Sequence, residues 1–234
     1  MALRHSAFFI RFVALGVLAH AYVGLRLIPD APVGPPAKLA AALLLVFSCL
    51  LIPLGMLSRR PTRYGFWSDA AAWAGLLVMG FFSSLFVFTV LRDAVLLVAW
   101  SAKLLGARVP LPELRAASAL LVPGLALLGS LIGFFNARRL ARVVTVNVPV
   151  ADLPEALENF TIVQISDVHV GPTIKRGYMR AIVAAVNAER PEMIAITGDV
   201  VDGSVQHLAM HARPLADLRA PHGVYLVTGN HEYY

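Results

Sequence analysis

Three short stretches in the last third of the chain carry side chains that could do chemistry together: Ser166-Asp167-Val168-His169, Gly198-Asp199-Val200-Val201-Asp202 and Gly229-Asn230-His231-Glu232. Carboxylate, imidazole and amide oxygen in one set suit a hard or borderline divalent ion such as Mn, Fe, Zn or Mg, with no thiolate preference. A carboxylate such as Asp199 can bridge two ions, and two ions about 3.5–4 Å apart clamp the attacking and leaving oxygens of a phosphoryl displacement. Taken singly, each stretch has an ordinary structural explanation. The Asp-Val-His triplet recurs by chance, the second stretch can be a turn with an Asp capping a helix, and the third can be a Gly-Asn turn. Together, in order and one helix length apart, they point to one site.

The elements that must position them are legible nearby. Each stretch ends a short apolar run bounded by turn residues, at 160–165, 193–197 and 224–227, which reads as a buried strand. Between the first two, Met179, Ile182, Val183 and Val186 fall at i, i+3, i+4 and i+7, so a helix should pack one face on the sheet and stop before Pro191. Between the second and third, 204–218 reads as helix disturbed at Pro214. A β-α-β-α-β order favours parallel strands with right-handed crossovers, whose carboxyl ends share one edge where ligands bind. Asp167, His169, Asp199, Asn230 and His231 should therefore meet on one rim. On an extended strand end, Asp167 and His169 would point to the same face. Gly198 and Gly229 would allow a sharp turn off each strand.

The rest of the chain is of another kind. Of 234 residues, 58% are hydrophobic and 15% charged, which is too apolar for an ordinary soluble domain. The excess sits in residues 1–142, while 143–234 read as part of a globular α/β domain. Four stretches, about 7–28, 37–57, 70–91 and 116–135, are long enough to span a bilayer, which takes about 20 apolar residues. A second reading makes the start a signal peptide with Ala19-His20-Ala21 as its cleavage site. Arg59, Arg60 and Arg63 follow the second span and Arg138, Arg139 and Arg142 the fourth, so the positive-inside rule places the soluble half in the cytoplasm. The segment from Arg92 to 110 has a short apolar core and is expected to form a separate interfacial helix, whose crossing would invert that topology. His20 reads as a histidine hydrogen-bonded inside the bundle, with a proton relay as the alternative. The net charge of +6 reflects Arg at span ends, and the basic residues lack the interleaved aromatics of a single-strand binder, so no nucleic acid is expected. The single cysteine, Cys49, can form no intramolecular disulfide.

The three chemical stretches resemble the first three motifs of the calcineurin-like metallophosphoesterases, with the membrane-anchored bacterial branch as the nearest match. The resemblance implies the first half of an αββα sandwich over a centre of two divalent metal ions, integral to a bacterial inner membrane. It implies that Asp167 and His169 bind the first ion, that Asp199 bridges both, and that Asn230 binds the second. His231 would contact the phosphate and protonate the leaving group or stabilise its charge. A metal-activated hydroxide would be the nucleophile, with Asp202 and Glu232 supporting the ligands from behind. The family adds later histidine motifs that this sequence does not contain, so the chain is expected to be truncated and inactive by itself. His207 and His211, at i, i+4 on the second helix, are expected to be solvated, and His222 to lie at the opposite end of its strand.

The function so implied is hydrolysis of a phosphomonoester or phosphodiester, with a lipid-linked or nucleotide-lipid substrate such as a UDP-diacylglucosamine as a candidate. The alternative is a membrane scaffold, transporter-like or sensor protein with a degenerate phosphoesterase domain. It is weakened by the intact set of metal-site residues.

Overall fold

The computed structural model describes residues 2–58 and 65–233. The chain separates into two compact units, residues 1–60 with 70–138, and residues 61–69 with 139–234. Arg59, Arg60 and Arg63, on which the expected orientation partly rests, lie outside the described residues.

The first unit is built on four helices, each long and apolar enough to cross a membrane: α1 (Ala2–Leu27), α2 (Pro35–Ser58), α3 (Phe66–Leu104) and α4 (Leu111–Ala137). Only 11–22% of their most apolar windows is buried inside the protein. Most of the Leu, Val and Phe side chains therefore face outward, as lipid-facing residues do and those of a soluble bundle do not. Val23, Leu27, Ile52, Phe82, Leu85, Val122 and Ala126 form the interior. α2 and α3 meet where neither has a side chain: a Cβ on Gly55 would lie 2.6 Å from the Gly75 Cα, too close for any other residue. His20 stacks on Phe82 at 3.5 Å between ring centroids and bonds the Gly16 carbonyl and the Ser48 hydroxyl. It is a satisfied bundle histidine.

α3 differs from expectation. It runs unbroken through Arg92 to Leu104, so the segment expected as a separate interfacial helix continues the helix of the third span. The physical reason is that Arg92 and Asp93 have partners inside the bundle. The Arg92 side chain is 2% exposed and pairs with Asp30, while its Nε donates to Ser118 Oγ at 2.9 Å and Nη1 to the Arg26 carbonyl at 3.0 Å. Asp93 accepts from Tyr22 at 2.6 Å and from Arg26 at 2.7 and 3.0 Å. Two cations and two carboxylates cancel in a place where an unpaired charge would be costly.

The second unit holds a parallel sheet in the order β1-β2-β3, formed by Ile162–Ile165, Met193–Ile196 and Val224–Leu226. α5 (Arg176–Ala188) connects the first pair and α6 (Val205–Ala212) the second, with a 3-10 turn at Arg213–Asp217 where Pro214 ends the α-helix. In register, Val163 pairs with Ile194, Ile165 with Ile196, and Ile196 in turn with Leu226, so these share one face. Ile165, Ile194 and Ile196 of that face meet Met179, Val183 and Val186 of α5 and Leu208 of α6 in the core, while Leu226 stays exposed. The opposite face carries Ile162, Tyr225 and Val227 with 55%, 59% and 60% exposure.

Candidate metal centre

The three chemical stretches leave the carboxyl ends of β1, β2 and β3 on one edge. They do not leave as extended chain. Asp167, His169 and Asp199 have φ of 56°, 52° and 52°, in the left-handed region that non-glycine residues seldom occupy. The expectation that Asp167 and His169 share a face by strand alternation is therefore corrected: two left-handed turns, not a pleat, bring Asp167 Oδ1 to 3.9 Å from His169 Nε2. The strain is held by hydrogen bonds between neighbouring loops. The backbone N–H of Asp167 donates to the Gly198 carbonyl at 3.2 Å, that of His169 to Asp199 at 3.0 Å and that of Val170 to Val200 at 2.8 Å.

The third loop is fastened by Glu232. Its carboxylate accepts the backbone N–H groups of Asp199 at 3.0 Å, Val200 at 2.6 Å, Val201 at 3.3 Å and Gly229 at 2.8 Å. Partial burial pushes its pKa up, but these four donors outweigh that and hold it below the usual carboxylate range. Gly198, at φ +91°, is pressed against the third loop, and a Cβ there would lie 2.6 Å from the Gly229 Cα.

Asp202 organises the imidazoles. Its Oδ1 accepts from Nδ1 of His169 and Nδ1 of His231, each at 2.8 Å, and the two rings stand edge to face at 4.5 Å. A carboxylate on both Nδ1 atoms selects the tautomer with Nδ1 protonated and leaves each Nε2 as a lone-pair donor, the usual preparation of a metal-binding histidine. Asp199 Oδ1 meanwhile accepts the backbone N–H of His231 at 2.9 Å.

Ligand atoms of His169, Asp199 and His231 all lie within 4.8 Å of one another, a spacing that fits a metal ion. Asp167 is 68% exposed beside this trio, and Asn230 is exposed on the same loop as His231. The sequence placed Asp202 and Glu232 behind the ligands, but it missed that one carboxylate serves two histidines and the other four amides. The signal available was only the spacing of acid and histidine within each stretch. His207 is exposed and bonds Ser204 at 2.8 Å, whereas His211 is half-buried rather than solvated. His222 precedes β3, with its N–H on the Glu192 carbonyl at 2.8 Å, at the opposite edge of the sheet.

Residues 160–234 match the family of calcineurin-like phosphoesterases. A Bos taurus protein described as a transmembrane protein with metallophosphoesterase domain is 34% identical over 196 residues, 83% of this chain and 43% of that protein. That alignment reaches far beyond the family match into the apolar helices. A Danio rerio protein of the same description is 41% identical over 102 residues, 44% of this chain and 23% of that protein. An uncharacterized metallophosphoesterase of Aquifex aeolicus is 36% identical over 93 residues, 40% of this chain and 35% of that protein. The chain thus spans less than half the length of these curated relatives. No solved structure matches it.

Proposed function

We propose, from the match of residues 160–234 to the calcineurin-like phosphoesterases, that this chain joins a membrane-embedded region to the motif-bearing residues of a metal-dependent phosphoesterase. Asp167, His169, Asp199 and Asn230 would hold two divalent ions, with Asp199 shared between them. The donor set fits: Nε2 of His169 is freed by Asp202, and Asp199 and Asp167 stand beside it. Bound ions supply Lewis-acid polarisation of a phosphoryl group and a more acidic water.

The chain's own residues do the rest. His231 is fixed at Nδ1 by Asp202 and at its backbone by Asp199, so Nε2 is aimed from a rigid base. In the protonated ring, that atom donates to the oxygen of the leaving group. Glu232 keeps the second and third loops in register, so that His231 and Asp199 keep their spacing. A substrate with one end in the bilayer suits a site joined to four spans, so the proposed class is a lipid-linked phosphate ester, with a nucleotide-lipid diphosphate included. The proposed location is a bacterial inner membrane, with the site on the cytoplasmic side.

The observation that carries this reading is the convergence of ligand atoms of His169, Asp199 and His231, with both imidazoles held by one Asp202 carboxylate. Its test is hydrolysis of a chromogenic phosphodiester by the longest available form of the chain with added manganese. Asp199→Asn should lower turnover at least 100-fold, on the order expected for loss of a metal ligand. Equal turnover in the variant would show that the activity arises elsewhere.

A further inference from the structure

A polar cavity in the same unit is lined by none of the proposed metal-binding residues, although its Gly171 packs against Asp202. It has a volume of about 180 Å³ and is lined by Lys175, His207, His211, Gly171, Gly65 and Asp69, among others. Asp69 is the one acid in that lining, and it is already engaged with Lys175 Nζ at 2.9 Å. Among the described residues, Nδ1 of His211 and Nε of neighbouring Arg176 are buried without a hydrogen-bond partner. Burial and then the Lys175 charge push the His211 pKa down, against the opposing pull of Asp69 and with Arg176 adding to the effect.

Gly65 and Asp69 flank Phe66 and Trp67, whose side chains are 76% and 82% exposed, and the apolar run of α3 starts at Ala70. Exposed aromatic residues at the mouth of a span mark the headgroup level of a bilayer. A metal ion is disfavoured, because an ammonium group shares the lining and the compact chelating group among the described residues is His169, Asp199 and His231.

We propose that the cavity bounded by Lys175, His207 and His211 is a binding site for a phosphate group, supplied by a phospholipid headgroup or by free phosphate. Lys175 provides the charge and the two histidines, one turn apart on α6, provide ring N–H donors. Asp69 competes with the ligand for Lys175. This site is independent of the phosphoesterase reading.

The test is calorimetric titration of the full chain in detergent with EDTA, so that the metal centre plays no part. The probes are dihexanoyl phosphatidic acid and inorganic phosphate. Lys175→Gln and His211→Gln should each weaken binding about tenfold, equivalent to one charge-assisted hydrogen bond. Lys175→Arg should retain it and Asp69→Asn should tighten it, the opposite of what a purely structural Lys175–Asp69 pair would give. Met210→Gln, on an exposed position of α6, controls for folding. Tighter binding of the lipid than of inorganic phosphate assigns the site to headgroups; equal binding, with the same variant response, assigns it to free phosphate. Absence of binding to the unsubstituted chain, or equal binding by Lys175→Gln and His211→Gln, overturns the proposal.

Discussion

A single carboxylate oxygen on Asp202 meets two imidazoles, and removing its charge should affect both. Asp202→Asn offers one carbonyl oxygen in place of a carboxylate, so His169 and His231 lose orientation together. Metal affinity should fall about 10–100-fold, the range seen when groups supporting a ligand are lost, as read by manganese titration. Glu232 gives a different signature. Its folded pKa lies below its unfolded value, so its contribution to stability is complete above the unfolded pKa and is lost as pH falls through the folded one. In EDTA, Glu232→Gln should be less stable than the unsubstituted chain at neutral pH. The gap should close below roughly pH 4, as followed by denaturant unfolding at several pH values. The identities of these residues were readable because acid, amide and histidine recur in three ordered stretches. Their geometry was not. Left-handed φ at Asp167, His169 and Asp199 is set by cross-loop hydrogen bonds, which residue spacing does not encode.

At the level of elements, the residue pattern located the three strands to within two residues and both α-helices of the described α/β unit, but not its short 3-10 turns at Glu155–Leu157 and His231–Tyr233. It failed at α3, because Arg92 and Asp93 look like a boundary when read alone. Their partners, Asp30, Arg26, Tyr22 and Ser118, come from α1, the α1–α2 joint and α4, and pairing across 26 to 71 positions leaves no local trace. The network makes a sharp prediction. Asp93→Asn removes the charge that Arg26 and Arg92 share and should destabilise the bundle by about 1 kcal/mol, less than for a fully buried pair because Arg26 is half exposed. A lowered melting midpoint in detergent, not rescued by manganese, is the expected readout.

Across the whole molecule, two chemically distinct regions follow from composition alone, with apolar residues outward in one and inward in the other. The α/β unit nonetheless shows an apolar sheet face at Ile162, Tyr225 and Val227 and a row of exposed valines at Val144, Val146 and Val148. Edge strands with such faces template pairing between chains. These 234 residues should therefore self-associate at high concentration even in detergent that covers the helices. Val227→Lys should raise the monomer fraction in sedimentation velocity without altering the far-UV spectrum; an unchanged fraction would place the association in the helices instead.

Glu232 fastens loops that precede it by about thirty positions along the chain. A domain emerging from the ribosome folds from its amino end, so β1, α5 and β2 can pair while the acid that orders their rim is still inside the exit tunnel. The loop carrying Asp199 should lack those hydrogen bonds throughout that interval. If the site holds metal as proposed, loading would be a late event of biosynthesis, and a nascent chain stalled before Glu232 should show a formed helix-and-strand layer with no affinity for the ion.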